Sequence, residues 1–313
     1  MLLAKEEDIL KLYSTNKVNH QKNASDYIKV KLLSSQGFKI SQIAKELNLT
    51  RSLVSHWISK SSSRTPKSIK GITKLKEIGF IPLMINNTRI FNHLVHTIGL
   101  RYADGCIYHQ KRNNSYSFYL CFGEEIDAKS YVTDTKKILN LDLNYIYGTN
   151  AYYVYFPSYI TRLLIHLGSP IGDKTLQNFS IPEWVFKLPV NIKWEFISGL
   201  FSGDGQKPKL KKSMKSCESL KISLSAEESI VEQFAKSFML NLWELLNSLE
   251  INASKPKIDY NTPRYSKNGT VTYPVIIRIL TKKDNIVKFL NNIKYLYCNE
   301  ANIRKKEVLN NLI

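Results

Sequence analysis

The sequence is short of cysteine. It has four in 313 residues (Cys106, Cys121, Cys217 and Cys298), with no C-x-x-C pair and no paired histidines beside them. That argues against a disulfide scaffold and against a cysteine–histidine zinc site. Long apolar runs are also missing, and no stretch approaches the length of a membrane span. The N-terminal Met1-Leu2-Leu3-Ala4 meets charge at Lys5, Glu6 and Glu7, so it does not read as a secretory leader. The expectation is a soluble, cytoplasmic protein. Acidic residues are scarce beside basic ones, 26 Asp+Glu against 45 Lys+Arg, a formal net charge of +19. That excess is beyond what solubility needs and points to a polyanion, nucleic acid first. No lipidation motif or amphipathic anchor favours an acidic membrane instead. With 43% hydrophobic residues a sizeable core is available, and the length suits two ordinary domains or three small ones.

Residues 1–60 read as a small all-α domain. Within Ser41–Ile58, Ile43, Ala44 and Leu47 form one short helical face, and Leu53, Val54, Trp57 and Ile58 form another. Asn48-Leu49-Thr50 lies between them as a tight turn, with Thr50 as N-cap of the second helix. A supporting helix is expected over Asp26–Ser35. The pattern resembles a helix-turn-helix, whose second helix enters the major groove by its N-terminal end. Arg51, Ser52, Ser55 and His56 are then the exposed readers. Residues 61–78 are expected to be a linker, opening on a Ser/Lys/Pro stretch with no hydrophobic period.

From residue 79 the chain repeats itself: a first unit over 79–188 and a second over 189–313. Each reads as helix, two strands, helix, two strands, helix, an α+β order with a mainly antiparallel sheet. In the first unit the strands are Cys106–Arg112 and Tyr116–Phe122, joined by a turn at Asn113-Asn114-Ser115. A helix over Glu125–Leu139 follows, then strands Asn144–Tyr147 and Tyr152–Phe156 and a closing helix Ser158–Leu167. In the second they are Gln206–Lys212, Leu220–Ser225, a long helix Glu227–Leu249, Lys257–Tyr260, Val271–Leu280 and a closing helix Lys283–Leu296.

Both units open on the same motif, Gly99-Leu100-Arg101-Tyr102-Ala103-Asp104-Gly105 and Gly199-Leu200-Phe201-Ser202-Gly203-Asp204-Gly205. Gly99 and Ala103 stand at i and i+4 on a helix, as do Gly199 and Gly203, so each pair shares a face. Glycine inside a helix costs about 1 kcal/mol relative to alanine. Its presence on that face implies two helix backbones in close contact. If the two helices pack together, Asp104 and Asp204 emerge at the same end. Two adjacent carboxylates repel unless a cation lies between them, and Mg2+ is the hard, phosphate-compatible candidate, with Mn2+ as a substitute. Gly105 and Gly205 then turn each chain into its first strand.

These motifs resemble the paired LAGLIDADG (dodecapeptide) elements of homing endonucleases in their single-chain, pseudo-two-fold form. The likeness spans roughly residues 80–313. A second block, Gly168-Ser169-Pro170-Ile171-Gly172-Asp173-Lys174-Thr175 with Ile181-Pro182-Glu183-Trp184, is similar to the segment between the motifs in archaeal and intein-type members. The resemblance implies a monomer whose two sheets form a saddle over the major groove of double-stranded DNA. It also implies two-metal phosphodiester hydrolysis. Asp104 and Asp204 would be metal ligands, with backbone carbonyls at Gly105 and Gly205, and Lys174 would be a basic residue beside the site. The family's earlier acid is replaced by Tyr102 and Ser202. In the second unit the basic position falls nearest Ala301, leaving Lys282, Arg304 or Lys305 as substitutes. The lysine-rich tract with Lys207, Lys209, Lys211, Lys212 and Lys215 is expected to contact phosphates. His93, His96, His109 and His166 are expected to be core or groove residues rather than bases. Two other functions use the same scaffold: an RNA maturase acting on intron RNA, and a helix-turn-helix regulator with an inactive endonuclease fold. The end at Leu312-Ile313, without a His-Asn pair, gives no expectation of intein splicing.

Overall fold

The computed structural model describes residues 1–14, 18–59, 65–110, 115–212, 216–265 and 269–312. The chain divides into two units: residues 1–84 with 158–166, and residues 85–157 with 167–313.

The first unit begins with β1 (Leu2–Ala4) and helices α1 (Glu6–Ser14), α2 (Val18–Ser35), α3 (Ile40–Glu46) and α4 (Arg51–Ile58). Val30, Ile43, Ala44, Val54 and Trp57 form a buried cluster, so the two apolar faces expected on α3 and α4 close on each other and on α2. The turn between α3 and α4 carries Asn48 at φ 51°, a left-handed conformation that asparagine tolerates. Thr50 Oγ1 accepts from Leu53 N at 3.3 Å, the expected N-cap. The linker expected over 61–78 is only partly that. Residues 60–64 lie outside the described residues, but α5 (Lys67–Ile78) is a helix. It buries Gly71, Ile72, Leu75 and Ile78, a 3–4 spacing hidden behind the lysines that alternate with it. The unit is not purely helical either: β2 (Leu83–Met84) pairs antiparallel with β1. A helix from far along the chain, Ser158–His166, also belongs here and packs on α1 and α5. The sequence reading assigned it to the first repeat. Its apolar face is real, but its partners are N-terminal: Arg162 lies 4.0 Å over the Tyr13 ring, and His166 Nε2 is 3.0 Å from Leu3 O.

The second unit is an α+β body with two antiparallel sheets. In chain order it holds α6 (Arg89–Tyr102), β3 (Gly105–Gln110), β4 (Ser115–Phe122), α7 (Glu125–Leu139), β5 (Asn144–Gly148) and β6 (Ala151–Phe156). The helix Ser158–His166, α8, intervenes. After it come α9 (Glu183–Phe186), α10 (Val190–Gly203), β7 (Lys221–Glu227) and α11 (residues 231–248, π-helical over Ala235–Met239). The unit ends with β8 (Lys257–Ile258), β9 (Arg264–Tyr265), β10 (Val271–Arg278), α12 (Lys283–Asn292) and α13 (Asn299–Leu312). The first sheet has the order β3-β4-β6-β5. Phe118, Leu120 and Phe122 of β4 face α7, and Phe122 and Phe156 pack on Tyr131. The second sheet has the order β7-β10-β8, with β9 also on β10.

The expected strand Gln206–Lys212 does not form. Residues 205–211 lie antiparallel to 216–222 through scattered bonds, Gln206 N to Lys221 O at 2.7 Å and Lys211 N to Ser216 O at 2.8 Å. Pro208 has no N–H to donate, and like charges crowd the segment, so a regular ladder is not sustained. A further helix, α13, follows α12, where the sequence reading expected Lys283–Leu296 to be the closing helix.

Candidate active site

Helices α6 and α10 pack face to face, and their glycines set the distance. A Cβ on Gly99 would collide with Phe196 O and lie 2.9 Å from Leu200 N; one on Gly199 would collide with His96 O and lie 2.8 Å from Leu100 N. Backbone therefore meets backbone where a side chain would stand, as the small-residue face required. Further along, a Cβ on Gly203 would lie 2.5 Å from Ala103 Cβ and 2.7 Å from Asp104 Oδ2. The Asp104 carboxylate thus rests on the residue next to Asp204, and the two acids share one end of the helix pair.

Their electrostatics follow from that crowding. Surrounding protein pushes the Asp204 carboxyl up, Asp104 pushes it further, and Lys174 and Arg264 pull it back, leaving it at about 7. Burial also raises Asp104, opposed by Lys174. Asp104 nevertheless keeps a solvent-exposed face and Asp204 a partly exposed one, so the pair is crowded by protein without being sealed from water.

Lys174 sits in a single 3-10 turn, Lys174–Leu176, capped by Asp173, whose Oδ1 accepts from Thr175 N at 2.9 Å. Its ammonium donates to Tyr102 O at 2.9 Å, to Arg101 O at 3.4 Å and to Ala103 O. These are the open C-terminal carbonyls of α6, the negative end of its dipole. Burial and then Arg101 lower the Lys174 ammonium to about 8, against the pull of Asp204 and Asp104.

Among the described residues the second half shows no such lysine at the three expected positions. Lys305 Nζ donates to Ile293 O at 2.7 Å, Arg304 pairs with Glu300 at 2.5 Å, and Lys282 is exposed at the start of α12. The basic group that acts on Asp204 from this half is Arg264 of β9. The sequence carries no periodic or motif signal for it, because it depends on which strand lies beside β10. Arg101 was also missed, though its signal was available: a charge inside an otherwise apolar motif helix.

Asp104 and Asp204 are hard oxygen donors suited to a divalent cation. Among the described residues no group of three or more His, Cys, Asp or Glu side chains is placed to hold a metal, so the remaining ligands would come from backbone oxygens, phosphate or water. The carbonyl expected at Gly105 is directed elsewhere, accepting from Arg101 Nη1 at 2.8 Å. Gly205 pairs with Ile222 in an isolated bridge. No histidine lies among the groups acting on the acids. His93 is core, its Nε2 2.9 Å from Thr135 Oγ1, and burial with His96 pushes it down to about 3. His96 Nδ1 lies 3.3 Å from Glu195 Oε2; although burial pushes Glu195 up, His96 and Lys294 hold it below its ordinary value.

The sheet faces away from the helices run up to this site. On the first sheet, Cys106, Tyr108, Ser117, Tyr119, Cys121, Tyr153 and Tyr155 share the outer face by register, and none carries a formal charge. Cys121 N donates to Asp104 O at 3.1 Å; burial, then Asp104, pushes its thiol up to about 11. On the second sheet the outer face carries Lys221, Lys257, Arg264 and Arg278 against one acid, Glu227. Lys207, Lys209, Lys211 and Lys212 are exposed, with Lys207 paired to Glu300 and Lys209 to Glu218; Lys215 lies outside the described residues. In the first unit Arg51, Ser52, Ser55 and His56 are all exposed on α4.

Residues 191–294 match the family model described as LAGLIDADG-like domain. Among curated proteins, the chain is 27% identical over 254 residues to the tRNA-splicing ligase RtcB of Methanocaldococcus jannaschii, covering 74% of this chain and 24% of the ligase. It is 25% identical over 258 residues to the DNA-directed RNA polymerase subunit Rpo1N of the same organism, covering 77% of this chain and 18% of the subunit. The chain thus spans about a quarter or less of the length of these relatives. Among solved structures, it is similar to variants of the homing endonuclease I-DmoI at 14% identity, covering 67% of this chain and 95% of that one, with a TM-score of 0.39. No helix among the described residues is long and apolar enough to cross a membrane.

Proposed function

We propose that this chain is a divalent-metal-dependent endonuclease that cuts both strands of duplex DNA at a long, asymmetric site. The observation that carries this reading is the pair Asp104 and Asp204, brought together by glycine-mediated packing of α6 and α10, with both carboxyls pushed up by burial and Asp204 pushed further by Asp104. Structural acids at two unrelated helix ends have no reason to be crowded in this way. A divalent ion held there would activate water and offset charge at phosphorus. Asp104 and Asp204 bind and orient, Lys174 places a cation beside developing negative charge, and the basic second sheet holds phosphates. The relatives support the reading in another way. An RNA ligase and an RNA polymerase subunit share no activity, yet each resembles this chain over a minor part of its length. That pattern is what a portable, self-propagating endonuclease segment would give.

The helix-turn-helix over α3 and α4 supports a second reading, a DNA-binding regulator on the same scaffold, because its four reader positions are exposed. In the preferred reading this unit lengthens the DNA footprint. A plasmid carrying the uninterrupted genomic site that flanks the reading frame distinguishes the two. Magnesium-dependent linearisation is expected; binding without any nick would leave the regulator.

A further inference from the structure

We propose that Arg101 is a positioning residue for Lys174: its guanidinium pins the 168–174 loop to the Asp104 end of α6. The consequence for cleavage rests on the endonuclease reading above; the docking of the loop does not.

Arg101 is fully buried, and no carboxylate lies within 4.0 Å of it among the described residues. An unpaired buried cation is expensive, and a merely structural position in a helix interface would be served by an apolar side chain. Arg101 instead places its two terminal nitrogens on two backbone carbonyls from different segments, while its Nε has no partner among the described residues. Nη1 donates to Gly105 O at 2.8 Å, beside Asp104, and Nη2 donates to Pro170 O at 2.5 Å, in the loop. The planar fork of arginine joins two fixed directions at once, which an ammonium does less well. Other bonds finish the docking. Gly172 N donates to Ile107 O of β3 at 2.7 Å, and Tyr102 OH donates to Gly168 O at 2.9 Å. Four residues after Pro170 the chain delivers Lys174 to the carbonyls of residues 101–103.

This use of Arg101 also accounts for Gly105. A Cβ there would lie 2.7 Å from Arg101 Cα and 2.9 Å from its Cδ, across the path of the side chain. The other half shows the alternative. Phe201 holds the equivalent place before Asp204, its ring 5.1 Å from Phe289, and an apolar ring has no donor with which to hold a loop carbonyl.

The test uses the full chain with Arg101→Met, Arg101→Gln, Arg101→Lys, Lys174→Met and the Arg101→Met/Lys174→Met double variant. Two readouts are taken: amide hydrogen exchange and the rate of duplex cleavage. In Arg101→Met, exchange at the Gly172 amide should rise by about tenfold or more while α6 and α10 keep their protection. Cleavage should fall about as far as in Lys174→Met, and the double variant should be no slower than either single, because Arg101 acts through Lys174. Arg101→Lys should recover part of the rate. If Arg101→Met does not fold, Arg101→Gln, which keeps amide donors, carries the same comparison. Unchanged Gly172 exchange, or a double variant as slow as the product of the singles, overturns the proposal. A wild-type chain that cuts no duplex removes the endonuclease reading, and the exchange result alone then decides whether Arg101 holds the loop.

Discussion

The two motif helices end differently. At the end of α10 the chain closes on itself: Asp204 N donates to Leu200 O and Gly205 N to Phe201 O, both at 3.2 Å. At the end of α6 the chain leaves the helix at Ala103, with φ −83° and ψ −97°, and Lys174 takes up carbonyls 101–103. The same division runs outward into the sheets, where the first outer face is uncharged and rich in tyrosine and the second is basic. A repeat can therefore conserve its helix packing while its two copies diverge in chemistry. The packing depends on Gly99 in one motif and on Gly199 and Gly203 in the other, whereas the chemistry depends on what a distant loop or strand brings to each end.

The largest effect expected is on the shared element. Asp104→Asn or Asp204→Asn should lower duplex cleavage on the order of a thousandfold, several kcal/mol of lost charge stabilisation. DNA affinity measured by filter binding should stay nearly unchanged; lost affinity would make the acids structural. Gly199→Val should cost about 3 kcal/mol or more by thermal unfolding, because the new side chain meets backbone at His96 and Leu100. A milder loss would show that α6 and α10 can separate.

The next prediction sharpens the difference between the halves. Lys174→Met should slow cleavage about a hundredfold, whereas Lys282→Met, Arg304→Met and Lys305→Met should each change it by less than about threefold. A large effect at any of these three would make the two halves chemically symmetric. In the sheets, neutralising Lys221, Lys257 and Arg278 should flatten the salt dependence of duplex binding by roughly 0.9 per charge that contacts phosphate. Tyr119→Phe and Tyr155→Phe should leave that slope alone. The smallest effect concerns pH. The folded pKa of Asp204 is raised to about 7 from an ordinary carboxylate value, so folding favours its protonated form. The metal-free protein should therefore lose stability as pH rises from about 4 to about 7, and Asp204→Asn should reduce that loss, leaving the part that the raised Asp104 contributes. With a divalent ion present the sign should reverse, since the ion binds the charged form.

Much of this was legible in the sequence because it rests on local pattern. The apolar faces of α3 and α4, the Thr50 cap, the first sheet and helix Glu125–Leu139 follow from 3.6- and 2-residue periods. The glycine face of α6 and α10 and the convergence of Asp104 and Asp204 followed from the repeat itself. What stayed hidden depended on long-range placement. The helix Ser158–His166 is amphipathic whatever its partner, so its sequence could not say that it joins the N-terminal unit. The helix α5 was masked by its lysines and by the Ser/Pro stretch before it. Pro208 broke a strand that the repeat predicted. The electrostatic pull of Arg264 on Asp204 depends on β9 pairing with β10, a register with no local signature.

The most direct measurement is Mn2+ binding, followed by electron paramagnetic resonance in the full chain without DNA. If Asp104 and Asp204 form one cation site, wild type should bind Mn2+. Each single Asn substitution should weaken that binding by about tenfold or more, and the double substitution should abolish it. Mn2+ binding that survives Asp204→Asn and Asp104→Asn unchanged would contradict the account.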